Sequence, residues 1–533
     1  MKPHLLRTVG LMVSIALPSG SLDARTIKGS RKNDKLTGTA QADVFYGFDG
    51  NDRIIGGEDI LGFGGMDKAY GGKGNDTYEI FGEPGEFRII EKAGSGNDWW
   101  IPTGRVGPRT LAENISKPSP WVGKTASGDQ RVILRLPANV ENLSSRVWNG
   151  APSENQPTAI YFSTEIHGNK VANILTGDDR LGVPDNWVRS AISHDRIYGY
   201  GGDDTFRYGM GQDDYFGGDG WDTLDLRLAK VSALQSAGPE FLIDLDAGKL
   251  VYGALSNGKW RGFRSTLNSI ESVMLSRGID HVKGSDQMDV FTIDKGDRAG
   301  GDRIWAGNGN DSLIIKRDFA GYQHVFYIGE EGFDLLDLSD FNVPVIIDLG
   351  SSARQPIPTK EGANAQGIEL MFVESIYSGP KSDKLAGNSA ITEVFRPGAG
   401  NDTIRGDNTP FASYTNVDYI YFDTPLNAFT NVDTILDVKI EADQSERFED
   451  LLYLDHRIFK TIVSGKPSGA AYLEPQRFKL TNGGPVDADD RIIADPGTGE
   501  IFYDADGNGP KARTLFAKVT PGIAVSANNF ATY

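Results

Sequence analysis

The chain has 533 residues, no cysteine, and 73 acidic against 54 basic residues, for a formal charge of −19. The missing thiols exclude a disulfide framework and any thiolate metal site, and the acidity excludes the basic footprint that a nucleic-acid binder needs. Glycine contributes 66 residues while 39% of the chain is hydrophobic, which predicts tight turns between short strands rather than disorder.

Residues 1–24 read as a secretory signal peptide. Lys2 and Arg7 flank the start, an apolar run extends from Val9 to Leu17, and Ala24 is a suitable cleavage residue. A disordered leader or a buried first strand is the alternative. The run is too short to span a bilayer and no later one is longer, so no transmembrane segment is expected.

From Gly29 the chain repeats with period nine: GSRKNDKLT (29–37), GTAQADVFY (38–46) and GFDGNDRII (47–55). Each nonad starts with glycine, has aspartate at its sixth place and a large apolar residue at its eighth. A shortened unit around Asp59 breaks the register, which resumes as GFGGMDKAY (62–70) and GGKGNDTYE (71–79). These units place Asp34, Asp43, Asp52, Asp67 and Asp76. Four unbroken nonads between 190 and 225 place Asp195, Asp204, Asp213 and Asp222. Residues 297–314 place Asp302 and Asp311, and PGAGNDTIR places Asp402. Isolated copies carry Asp289, Asp334 and Asp383, and GNKVANILT (168–176) has Asn173 at the sixth place.

Six glycine-rich residues make a turn that visits left-handed backbone, and three more make a minimal strand whose middle side chain points inward. Two nonads then form one coil of a flattened helix, and successive coils pair as parallel strands. Turn carbonyls beside the sixth-place carboxylate suit a hard cation with six to eight oxygen ligands, and Ca²⁺ more than Mg²⁺. A lone Gly-Asn-Asp run is an ordinary β-turn; four nonads in unbroken register are not.

GGKGNDTYE and GGDGWDTLD resemble the nonapeptide of the RTX (repeats-in-toxin, hemolysin-type calcium-binding) family. LPANVENL (136–143), IHGNKVANILTG (166–177) and EKAGSGNDWW (91–100) are similar to connecting segments of long bacterial members. DTLDLRLAK with FLIDLDAG has a sister in DLLDLSDF with VIIDLG, and SIESV and VESIYSG recur before the next nonads. The resemblance implies an all-β protein, a parallel β-roll or β-solenoid with multiple Ca²⁺ ions. They would be held by turn carbonyls and by Asp34, Asp43, Asp52, Asp67, Asp76, Asp195, Asp204, Asp213, Asp222, Asp302, Asp311 and Asp402.

The expected organisation is a leader (1–24), a roll block (25–100), a connecting segment (101–165), a second block (166–228), a second connection (229–283), degenerate roll blocks (284–410) and a non-repetitive, mostly β domain (411–533). In the last, VDYIYFDT, DTILDVKI and DLLYLDHRIF read as strands, with a short helix near Asp455. The tail 489–519 is similar to the C-terminal domain of type I-secreted RTX proteins, whose uncleaved C-terminus carries the export signal. Asp504, Asp506 and Asn508 open an EF-hand-like run, but Leu515 stands where such a loop needs glutamate. A Ca²⁺-assisted hairpin and a plain Asp-Gly turn both remain.

No HExxH, GxSxG or Walker signature is present, and none of the six histidines has a catalytic context. His194 reads as a turn residue. The expectation is a non-enzymatic, secreted or cell-surface calcium-binding protein with a matrix, adhesive or surface-layer role. Its candidate partners are calcium, cell-surface polysaccharide and other surface proteins. A secreted Ca²⁺-dependent hydrolase with its site in the insertions, and a bare calcium buffer, are the alternatives.

Overall fold

A computed structural model describes residues 24–39, 41–56, 67–81, 87–105, 122–124, 130–148, 164–178, 194–209, 212–227, 229, 240–256, 259–276, 278–294, 301–316, 324–357, 367–388, 391–406, 417–438, 450–462, 471–523 and 525–533. Residues 1–23 of the leader and residues 57–66, with the shortened unit around Asp59, lie outside them. The chain forms two compact units, Met1–Trp121 with Pro137–Val140, and Val122–Leu136 with Glu141–Tyr533. The described residues are nearly all β or turn, with three single 3-10 turns (Pro475–Arg477, Thr481–Gly483 and Ala527–Asn529) as the only helical elements among them.

The first unit is a parallel roll. One ladder joins Thr26–Lys28, Val44–Asp49, Asp67–Lys73 and Phe87–Ile89. The other joins Lys35–Thr37, Arg53–Ile55, Thr77–Phe81 and Trp99–Arg105. Alternating side chains of such short strands face opposite ways, so only the eighth-place residue is enclosed. Leu36, Ile54, Tyr78 and Trp100 lie in register from coil to coil, and Phe45 and Ala69 do so on the other ladder. All six are buried.

The second unit repeats the plan on a larger scale. One ladder runs in parallel from Asn142–Trp148 through Ile174–Asp178, Thr205–Arg207, Thr223–Asp225 and Ser272–Met274. It continues through Val290–Ile293, Ser312–Ile315, Leu335–Asp337, Ser375–Tyr377 and Val394–Arg396. The other ladder carries Thr164–His167, Arg196–Gly201 and Asp214–Asp219. There the segment 229–283 shows its form. Glu240–Asp244, Lys249–Ser256 and Lys259–Asn268 make an antiparallel meander whose outer strands pair in parallel with Ile279–Lys283 and Asp214–Asp219. The insertion is thus an enlarged coil built into the ladder.

Residues beyond 411 also extend the roll. Tyr419–Phe422, Leu451–Leu454 and Phe530–Thr532 continue the first ladder in parallel. A third ladder joins Ile346–Asp348, Lys384–Ala386, Thr403–Arg405, Asp433–Ile435 and Thr514–Val519, and then turns antiparallel through Glu500–Tyr503 and Ile492–Asp495. Phe459, at the centre of this region, meets Phe516 and Tyr503 edge-on at 5.1 and 5.2 Å. The helix expected near Asp455 is instead a turn, with the amides of Ile458 and Phe459 both donating to the Asp455 carbonyl. Its apolar residues serve the aromatic cluster, and no helical repeat follows them.

Candidate metal centres

Sixth-place aspartates of consecutive nonads belong to opposite ladders; those of alternate nonads stack. In the first unit the Asp34 amide donates to Asp52 Oδ1 (2.8 Å), the Asp52 amide to Asp76 Oδ1 (2.8 Å) and the Asp76 amide to Asp98 Oδ1 (2.8 Å). On the other ladder the Asp43 amide donates to Asp67 Oδ1 at 2.6 Å. In the second unit Asn173, Asp204 and Asp222 form one such row, and Asp195 and Asp213 another. Further rows join Asp280 to Asp302, Asp289 to Asp311 and Asp334, and Asp383 to Asp402 and Asp433. Asp98, Asp280, Asp289, Asp334, Asp383 and Asp433 are therefore row members alongside the twelve expected ligands.

A second row runs the other way. The amide of Asn51 donates to Asn33 Oδ1 (2.9 Å), that of Asn75 to Asn51 Oδ1 (2.9 Å) and that of Asn97 to Asn75 Oδ1 (3.0 Å). The fifth place thus reaches toward the following coil and the sixth toward the preceding one. This explains the Asn-Asp pairs, whose first member the ligand argument leaves without a role.

What the remaining carboxylate oxygen does divides the nonads into two classes. In the first, serine or threonine holds the second place and its amide donates to Oδ2. Ser30 bonds Asp34 and Thr39 bonds Asp43, each at 2.6 Å from nitrogen and 2.8 Å from the hydroxyl. The Ser285 amide reaches Asp289 at 2.6 Å. The Asp34 and Asp43 turns satisfy their own charge, whereas Asp289 keeps its Oδ1 buried and without a donor.

In the second class the second place has left-handed backbone. It is held by Phe48 (φ 81°), Gly72 (111°), Tyr200 (76°), Gly218 (114°), Gly307 (103°) and Glu330 (74°). Three of these six are not glycine, and each such residue costs about 1–2 kcal/mol of steric strain. The six aspartates that follow, Asp52, Asp76, Asp204, Asp222, Asp311 and Asp334, are at most 2% exposed, and each keeps one oxygen with no hydrogen-bond donor. A buried carboxylate oxygen left bare is costly, so the arrangement calls for a cation.

The space beside those oxygens fits one. A Cβ placed on Gly47 would lie 2.2 Å from Asp52 Oδ2 and 2.5 Å from the Gly71 carbonyl oxygen, and one on Gly199 would lie 2.0 Å from Asp204 Oδ2 and 2.6 Å from the Gly217 carbonyl oxygen. A methyl group cannot enter. Oxygens converging at this spacing suit a cation bound at about 2.3–2.6 Å. Burial, the largest cause, pushes the carboxyls of Asp76, Asp204 and Asp334 up to about 7 and that of Asp311 to about 8, with neighbouring carboxylates adding to the rise. Such groups resist ionising without a counter-charge.

The other expected ligands divide further. Asp402 follows left-handed Gly398 and Gly400 and donates its amide to buried Asp433. Asp67, Asp195, Asp213 and Asp302 sit in the rows, while parts of their own turns lie outside the described residues. Two glutamates outside the nonad pattern also belong. Glu271 accepts the amide of Asp222 and Glu374 that of Asp334, each at 2.8 Å. The recurrence of SIESV and VESIYSG was their sequence signal.

His194 Nε2 lies 3.0 Å from Asp214 Oδ2, on a surface pair apart from the rows. The 504–508 run is tied to its neighbour by the Asn508 amide on the Asp487 carbonyl, and Asp504 Oδ1 accepts the Asp506 amide at 3.2 Å. Among the described residues no helix is long and apolar enough to cross a membrane.

Compared with known families, the chain matches the RTX calcium-binding nonapeptide repeat in four copies, at residues 28–60, 61–78, 185–215 and 298–314. No curated protein matches it.

Proposed function

We propose that this chain, an RTX-type calcium-binding repeat protein, is exported with its carboxylate rows empty. On this reading it folds on the Ca²⁺ outside the cell and serves there as a structural or adhesive component of the surface. The observation that supports this reading is the set of six buried, donor-free carboxylate oxygens, each beside a left-handed turn. In this reading Asp52, Asp76, Asp204, Asp222, Asp311 and Asp334 hold ions together with the carbonyls of the adjoining turns. Asp402 joins them, and Asp67, Asp195 and Asp302 act in the same way, whereas Asp213 Oδ2 accepts the Tyr215 hydroxyl at 3.2 Å. Asp34 and Asp43 act as row members that need no ion.

Inside the cell, where calcium is scarce, repulsion along the rows keeps the chain loose for passage. Outside, sites with Kd near ~10⁻⁴ M at ~1 mM Ca²⁺ each contribute about 1.4 kcal/mol, so six contribute roughly 8 kcal/mol if independent. That is comparable with the whole stability of an ordinary domain. Circular dichroism of the full chain at neutral pH is the test. Strong β signal in millimolar calcium and its loss on chelation are expected; equal signal in both conditions would sink the reading.

For the surface role, the protein is expected to sediment with cells in calcium and to leave them on chelation. A protein that stays in the medium in calcium would exclude adhesion. Sequencing the N-terminus of the exported chain separates the two export routes, because cleavage after the leader belongs to the first and an intact Met1 to the second.

A further inference from the structure

Two short turns interrupt the nonads without interrupting the rows. After Lys259–Asn268, only Ser269, Ile270 and Glu271 lead to Ser272–Met274. After Gly367–Met371, only Phe372, Val373 and Glu374 lead to Ser375–Tyr377. The turns match residue for residue. Each begins with left-handed backbone (φ 51° at Ser269, 54° at Phe372), continues with buried Ile270 or Val373, and ends on a half-buried glutamate.

Packing does not explain the strained first residue, since the Phe372 side chain is 63% exposed. What the strain achieves is the direction of a carbonyl. The position of a Cβ on Gly217 lies 2.0 Å from the Ser269 carbonyl oxygen and 2.2 Å from Asp222 Oδ2. On Gly329 the corresponding distances are 2.0 Å to the Phe372 carbonyl oxygen and 2.2 Å to Asp334 Oδ2. In an ordinary coil the first glycine of the next nonad supplies that carbonyl, as Gly217 does at Gly199. Asp222 and Asp334 are fully buried, and their Oδ2 atoms have no donor.

We propose that each short turn completes a calcium site of its own. One ion would lie between the 217–225 nonad and Ser269–Glu271, with Asp222, the Ser269 carbonyl and Glu271 as donors. A second would lie between the 329–337 nonad and Phe372–Glu374, with Asp334, the Phe372 carbonyl and Glu374. The proposal rests on the calcium reading of the rows. It assigns to two of the six sites a short-turn carbonyl and a glutamate, donors that the nonad pattern does not contain, and gives the turns a purpose. Glu271 is 49 residues from Asp222 and Glu374 is 40 from Asp334. An ion at each point clips a long insertion shut, where closure of a free loop is entropically most costly.

Native mass spectrometry and calcium titration calorimetry on the full chain test this, with calcium as the only added ligand. Glu271→Gln and Glu374→Gln are each expected to lose one ion, and the double variant two, with the β signal at saturating calcium retained. Asp204→Asn, at an ordinary site, serves as the reference and loses one ion. An unchanged ion count in both glutamate variants while Asp204→Asn loses its ion overturns the proposal and leaves the calcium reading of the rows intact. Absence of bound calcium in the unaltered chain overturns both. If Glu271→Gln fails to fold, Glu271→Asp decides, because it keeps the charge and shortens the reach. One ion is then expected to bind about tenfold more weakly, and unchanged affinity overturns the assignment.

Discussion

Asp34 and Asp204 hold the same place in their nonads and differ by one donating residue. Ser30 gives Asp34 both an amide and a hydroxyl, whereas Tyr200, turned left-handed, leaves Asp204 Oδ2 bare. Loss of charge should therefore have opposite consequences at the two positions. Asp204→Asn is expected to remove one bound calcium ion in titration calorimetry. Asp34→Asn is expected to keep the ion count and to cost about 1 kcal/mol through its weakened hydrogen bonds. The nonad pattern shows where the aspartates fall but treats all twelve alike, because it is read from the sixth place. The deciding residue is at the second, where a hydroxyl side chain marks the self-satisfied turns of Ser30 and Thr39. The opposite class has no single residue type, since Phe48, Tyr200 and Glu330 adopt there a backbone more usual for glycine.

At the scale of the element, period nine is written in the sequence and the pairing of alternate nonads follows from it. Leu36, Ile54 and Tyr78 stack because three-residue strands enclose only their middle side chain. The meander 240–268 was not legible. Its strands pair antiparallel with each other yet join a parallel ladder at both edges, a register that no local alternation specifies. The asparagine row was likewise missed, because fifth-place residues read as ordinary turn formers. Its contribution is measurable. Asn51→Ala removes the acceptor for the Asn75 amide and is expected to lower stability by about 1 kcal/mol in urea unfolding with calcium present. The number of bound ions should stay the same.

For the whole molecule, the empty rows make protons competitors of calcium. In the metal-free fold the carboxyls of Asp76, Asp204 and Asp334 titrate at about 7 and that of Asp311 at about 8, because burial disfavours their charge. An unfolded aspartate titrates near ~3.9. Between these values the folded chain holds more protons than the unfolded one, so this contribution is fully present below ~4 and is lost as pH rises through about 7 to 8. Chelated protein is therefore expected to keep more β signal at pH ~5 than at pH ~8. Calcium affinity should move the other way and weaken with acid, since an ion must displace those protons. Circular dichroism and calcium titration across that range check both slopes; a chelated chain that loses structure on acidification would contradict the first.

The eighteen-residue step between Asp195 and Asp213, and between Asp204 and Asp222, also has a mechanical meaning. Each coil is held to its neighbour by amide-to-carboxylate bonds at both edges, so a load applied to the chain end meets one coil at a time. A detached eighteen-residue coil frees at most about 65 Å of extended chain at ~3.3–3.6 Å per residue. In single-molecule pulling with calcium present, the roll is expected to lengthen in discrete increments, of that size for the eighteen-residue coils and larger for the longer ones, and to shorten by the same increments when the load falls. With the ions removed, the steps should merge into a smooth low-force extension. A roll built this way would yield under load and rewind, and so work as a shock absorber.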